Sequence, residues 1–212
     1  MAAADKPHQR IVKELATAYL KPMGLRSNAS GRLWTDDCRH WFIMVEFQPS
    51  GLARGSYLNI GCDWLFDDRD YRAFTFGHRE AEFVEYHSDD QFRSAIEPLA
   101  RRAADRVAEY RLAMGDPAQA SVALTEGNRT SAQSLWAAAC LACLARDPAR
   151  ALSLLADILA HDHPHFAAYR DSAVTLREAI SAGSEHRWLE ERVMLARRLL
   201  RFSPISWAPA PG

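Results

Sequence analysis

Four polar side chains have types and spacing that suit recognition of a small polar ligand or a peptide: Gln48, Asn59, Asp63 and Arg79. The two amides each supply donors and an acceptor, Asp63 supplies a negative charge, and Arg79 supplies a rigid fork of donors. Asn59 and Asp63 lie in an alternating stretch, so both point to one strand face, about 13 Å apart at ~3.3 Å per residue. Gln48 joins that face if its strand pairs with theirs, and Arg79 reaches it from a later strand. Together they predict a shallow polar groove on the open face of a sheet. The same letters also have a plainer role. Asn59 and Gln48 can simply satisfy backbone groups at bends or bulges beside Gly61.

Other constellations are less specific. His78 beside Arg79, with Asp63, could form an acid/base site for a small-molecule enzyme. Glu80, Glu82 and Glu85 on a wet strand face explain that neighbourhood more simply. His161, Asp162, His163 and His165 form the densest group of potential metal ligands, yet they match no fixed metal motif and sit at a helix junction. No metal site is assigned. Cys140 and Cys143 have redox spacing but lie in an Ala- and Leu-rich run, where small buried packing residues are the ordinary reading. Gly51 to Gly55 lacks the following helix that a phosphate cradle needs, and no Gly-x-Ser-x-Gly elbow is present. The sequence therefore implies no cofactor.

The elements that must position these residues are legible as periodicity. Pro7 to Leu20 has apolar Ile11, Val12, Leu15, Ala16 and Leu20 at helical spacing, with Asp5 as a cap and Pro22 and Gly24 as stops. Arg32–Thr35 and Trp41–Gln48 follow as strands, the second with Trp41, Ile43, Val45 and Phe47 facing the core. In Ser56–Phe66 the even positions Leu58, Ile60, Cys62, Trp64 and Phe66 are apolar, which predicts one buried face. Two further short strands, Tyr71–Phe76 and Ala81–Tyr86, complete a four- or five-stranded antiparallel meander. From Ser88 the period becomes 3.6, and Pro98 should kink or split the helix that results. A boundary at residues 113/114 separates this α+β domain from an all-helical region. There Ser131–Ala145, Ala149–Ala160, a helix from about His165 to Ser181 and one opened by Ser184 form a bundle. One hairpin, with Ala139, Ala151 and Pro164, loosely resembles a tetratricopeptide repeat, but no second copy is evident.

The order helix, meander, long helix carries a resemblance. Met23-Gly24-Leu25 closes the first helix, Trp34 lies in a strand, Phe47-Gln48-x-Ser50 ends the next, and Tyr57-Leu58-Asn59-Ile60-Gly61 follows. Residues 7–113 resemble a bacterial family of uncharacterised α+β domains with a Gln-x-Ser strand end, a Tyr-x-Asn-x-Gly strand and a later arginine matched by Arg79. Leu25 departs from that pattern, which has an aromatic residue there. The resemblance implies a fold and a set of polar residues, and no activity.

Composition narrows the classes further. The chain has 212 residues, with 26 basic and 27 acidic residues giving a formal charge of -1. Charge is balanced on both sides of residue 113, so the basic excess that phosphate-backbone binding uses is missing, and no nucleic-acid partner is expected. No apolar run reaches a membrane span, and the start lacks a secretory apolar core, so a reduced cytoplasmic setting is expected. Trp188, Trp207 and the Ala-rich helices leave a homo-oligomer open. The reading favoured from sequence is a non-enzymatic binding or interaction module, regulatory or immunity-type, that uses the open sheet face; the enzyme around Asp63, His78 and Arg79 is the alternative.

Overall fold

The structure, a computed structural model, describes residues 6–67, 69–126 and 131–205. Asp5 and Trp207, given roles as helix cap and docked tail from the sequence, lie outside the described residues. Helix α1 (Pro7–Leu20) buries Ile11, Val12, Leu15, Ala16 and Leu20, and its N-cap is Lys6, with no side-chain cap bond. Strands β1 (Arg26–Ser27), β2 (Leu33–Asp37), β3 (Trp41–Pro49), β4 (Gly55–Trp64) and β5 (Phe76–Glu85) follow. They form a five-stranded antiparallel sheet in sequence order, so the fold is α+β with a meander.

The chain divides into two compact units. One comprises the chain up to Asp63 together with Arg72–Tyr110, and the other comprises Trp64–Tyr71 together with the chain from Arg111 onward. The sequence reading kept residues 64–71 with the sheet. Their partners explain the difference: the Phe66 carbonyl accepts from Arg192 Nε at 2.9 Å, and Tyr169 donates to Asp67 at 3.5 Å.

In the sheet unit, the core face is as the alternation predicts. Trp41, Ile43, Val45 and Phe47 of β3 and Leu58, Ile60 and Cys62 of β4 are all buried. The opposite face differs from expectation. Phe42 and Met44 on β3 are 1% and 2% exposed, and Gly61 and Asp63 on β4 are buried too. That face is therefore open only toward the Gln48 end of β3. A second difference concerns the last strand. Residues 71–75 are not a strand, and one strand of 10 residues replaces the two short ones. Register shifts between Ser56 and Leu58 and between Leu58 and Asn59 absorb the extra residues as bulges, so pairing continues through the charged stretch.

Helix α2 (Asp89–Met114) is one helix of 26 residues with Pro98 inside it, not two. Contacts with β5 on both sides of Pro98 account for its continuity. Gln91 Nε2 donates to the Glu85 carbonyl, Arg102 to the Glu80 carbonyl and Tyr110 to the Phe76 carbonyl. The spans match: 91 to 110 is about 28 Å of helix, and 85 to 76 about 30 Å of strand. β5 is the sheet's last strand, and α2 lies along it.

The β2–β3 turn holds a half-buried His40 whose pKa burial, with Arg39 adding repulsion, lowers to about 4. The unfolded chain, with an ordinary value of 6.5, takes up the proton first as the pH falls. Stability from this group is thus complete above pH 6.5 and declines until the pH passes the folded value. Between about pH 7.5 and about pH 5 the loss is about 2 kcal/mol. Denaturant titrations at both pH values should show a larger loss in the wild type than in His40→Gln, which keeps the same-signed contribution of buried His8; equal losses in the two would remove His40 as the cause.

The second unit contains α3 (Pro117–Ala123), α4 (Ala132–Leu144), α5 (Pro148–Ala160), α6 (Pro164–Ser181) and α7 (Glu185–Leu199). α3 was not expected. Its start is Asp116-Pro117, where the Asp116 carboxylate accepts from the Gln119 amide at 2.8 Å. The same device opens α5, with Asp147 accepting from the Arg150 amide at 2.9 Å. Replacing Asp147 with Ala should cost about 1 kcal/mol, and Asp147→Asn far less. Thermal unfolding of both variants checks this, and equal losses would show that the cap bond is not the origin. α4 is apolar all round and buried on nearly every side, as suits a helix in contact with α3, α5, α6 and α7. Cys140 and Cys143 sit inside it at 0% and 1% exposure, and burial pushes both thiols up, Cys143 to about 12.

Candidate functional site

The polar patch is built by three neighbouring strands. Glu46 and Gln48 are two apart on β3 and so share a face. On β4, Asn59 pairs in register with Arg79 of β5. Tyr57 precedes Asn59 by two residues and lies on the same face. Side-chain bonds then join these residues. Asn59 Nδ2 donates to Glu46 Oε2 at 3.2 Å and to Gln48 Oε1 at 2.9 Å. Arg79 donates from Nε to Asn59 Oδ1 at 3.5 Å and from Nη2 to Gln48 Oε1 at 3.4 Å. Its guanidinium lies 4.0 Å from the centre of the Tyr57 ring, which in turn packs on Phe83 at 4.9 Å. Arg79 is exposed, and Glu46, Gln48, Tyr57 and Asn59 are half-buried.

The Asn59–Arg79 pair stands next to a pair of glycines on that face, Gly61 opposite Gly77. A Cβ at Gly77 would lie 2.5 Å from both Gly61 Cα and the Ile60 carbonyl oxygen. Only glycine permits so close an approach of two backbones, and that approach sets how near β5 brings Arg79 to Asn59.

Gln48, Asn59 and Arg79 are therefore brought together. Asp63 is not: it lies about 13 Å beyond Asn59 along β4 at ~3.3 Å per residue, and it is 2% exposed, not part of an open groove. Glu46 and Tyr57 were missing from the sequence reading. Their signal was the alternation itself, which puts each two residues from an assigned member.

His78 and Arg79 are consecutive in one strand and face opposite ways. His78 Nε2 lies 2.7 Å from Glu80 Oε1, which also accepts from Arg106 Nε at 2.6 Å. The carboxylates of Glu109 and Glu80 raise the pKa of Arg106 above its ordinary value. Asp63, His78 and Arg79 thus occupy three separate environments and do not form one acid/base site. The Arg106 cluster borders a groove of about 950 Å³ along α2, where Arg101, Arg102 and Arg106 alternate with Glu97, Asp105 and Glu109. Its arginines are already engaged, Arg101 with Tyr19 and Arg102 with the Glu80 carbonyl. None of Gln48, Asn59, Asp63 and Arg79 lines it.

The histidine-rich junction has a structural role. His163 caps α6, its Nδ1 accepting from the His165 amide at 3.3 Å. His161 packs on Phe166 at 4.5 Å, and Arg170 bonds Asp162 at 2.9 Å. Among the described residues no group of three His, Cys, Asp or Glu side chains is placed to hold a metal ion. No described helix is long and apolar enough to cross a membrane.

No protein-family model, curated protein or solved structure matches the chain. Function must accordingly be argued from the site itself.

Proposed function

We propose that this protein is a non-enzymatic binding module whose ligand is received on the sheet face at Glu46, Gln48, Asn59 and Arg79, over Tyr57. The observation that carries this reading is the hydrogen-bonded chain from Glu46 through Asn59 and Gln48 to Arg79. It fixes the side chains before a ligand arrives, which lowers the ordering cost of binding. A positive and a negative group stand on one half-exposed surface, separated by two amides. The patch holds no histidine or cysteine and its carboxylate is bonded to the Asn59 amide, which favours recognition over catalysis. A reducing compartment such as the cytoplasm accords with the four free cysteines.

The test is a selection of binders from a random peptide display library on the full chain, followed by mapping of amide NMR shifts. Shifts centred on residues 46–48, 57–59 and 79 are expected. Binders that perturb only other surfaces would remove the reading.

A further inference from the structure

We infer that the occupant of this patch is a polypeptide segment presenting one acidic side chain, with Arg79 as the anchor; the inference rests on the binding reading above. A guanidinium has five N–H donors. Arg79 commits Nε and one Nη2 proton to the oxygens of Asn59 and Gln48. Both Nη1 protons and the second Nη2 proton remain, and together they form a fork that fits the two oxygens of one carboxylate. The cation–π contact with Tyr57, 4.0 Å from guanidinium carbon to ring centre, helps hold that fork in place.

Charge complementarity points the same way. Three arginines of this unit are paired with carboxylates, Arg10 with Asp89, Arg93 with Glu14, and Arg106 with Glu80 and Glu109, whereas Arg101 and Arg102, like Arg79, bond to neutral oxygens. Among the described residues Arg79 bonds only to neutral amide oxygens, and Glu46, the carboxylate of the patch, is bonded to Asn59. The positive charge is therefore left for a ligand.

The geometry also selects the kind of acid. A sheet face offers area rather than depth, so a small free acid would keep most of its surface in water. A segment laid across β3, β4 and β5 adds contact with Tyr57, the unused amide N–H groups of Gln48 and the second oxygen of Glu46, which accepts an N–H from the ligand. Glu46 repels a second negative charge on the β3 side. One acidic residue is favoured over an acidic run or a nucleic acid.

The selected peptides decide the matter. Each is measured by calorimetry against the wild type, Arg79→Gln and Arg79→Lys, alongside its acid-to-amide analogue and free glutarate. Arg79 is exposed, so the variants should melt with the wild type, and circular dichroism verifies that they are folded. Peptides with one Asp or Glu should dominate. They should lose about tenfold or more in affinity on Arg79→Gln and on the acid-to-amide change. Arg79→Lys should restore only part, since it keeps the charge and loses the fork. Peptides that shift the patch yet ignore both changes would overturn the anchor and leave the binding reading standing. Binders that shift only other surfaces would overturn both. Glutarate binding as tightly as the peptides, or a selection without acid-bearing binders, would overturn the polypeptide occupant.

Discussion

Gly77→Val is expected to break the pairing of β4 with β5, with a loss of roughly 3 kcal/mol or more. The reason is geometric. A Cβ at this position meets Gly61 Cα and the Ile60 carbonyl oxygen at 2.5 Å, and both are backbone atoms that no rotamer change can move aside. A single Cβ already forces the strands apart, and the two methyl groups of valine add to the separation. A loss of that size is a large fraction of the 5–15 kcal/mol that holds a typical domain together. Gly51→Ala is the control, since nothing lies within 4 Å of the added atom and its φ is not positive. It should change stability by less than about 1 kcal/mol. Urea unfolding followed by β-sheet circular dichroism and by hydrogen exchange of the β4 and β5 amides separates the two outcomes, and a Gly77→Val protein as stable as Gly51→Ala would refute the argument. The substitution should also remove peptide binding. Arg79, two residues along, reaches Asn59 and Gln48 only while β5 keeps its close approach to β4.

The second large effect belongs to the helical unit. Trp136 is 1% exposed within α4, with Tyr169 at 6.0 Å, Trp188 at 6.1 Å and the Arg192 guanidinium at 6.0 Å from its ring centre. Trp136→Ala would empty that volume beneath helices that cannot all collapse into it, and the expected loss is about 3–5 kcal/mol. Trp136→Phe should cost less than half as much. Part of the reason is volume, and part is that the Trp136 Nε1–H is buried with no hydrogen-bond partner among the described residues. Removing a donor that has no partner carries no bonding penalty. Thermal unfolding of the three proteins, followed by helical circular dichroism, is the check. A phenylalanine variant as unstable as the alanine one would mean that the indole N–H is satisfied after all.

The two predictions also show which features could be read from the chain itself. Local periodicity specified α1 to the residue, Pro7–Leu20, because one helix face must be apolar whatever it packs against. The same logic gave the buried positions of β4 and the α+β class. Asp116-Pro117 and Asp147-Pro148 open α3 and α5, a capping signal that the chain carries locally. Gln48 and Asn59 could be named together because alternation assigns a face to each residue within its strand, whereas Arg79 fell between the two strands read from periodicity and received no face from it.

What alternation cannot assign is what covers a face. Phe42 and Met44 read as the wet side of β3, yet they are buried, and Asp63 is buried where a groove was expected. The bulges that let β5 run unbroken from Phe76 to Glu85, and the side chains that keep α2 continuous through Pro98, are long-range facts of register and packing. The closeness of Gly61 to Gly77 is another. Element types and the residues able to do chemistry follow from period and side-chain type, so they are legible in the chain alone. Register and packing settle that Arg79 meets Gln48 and Asn59 and that Asp63 is buried away from them. Strand register sets which side chains meet, and register depends on residues far apart in the chain.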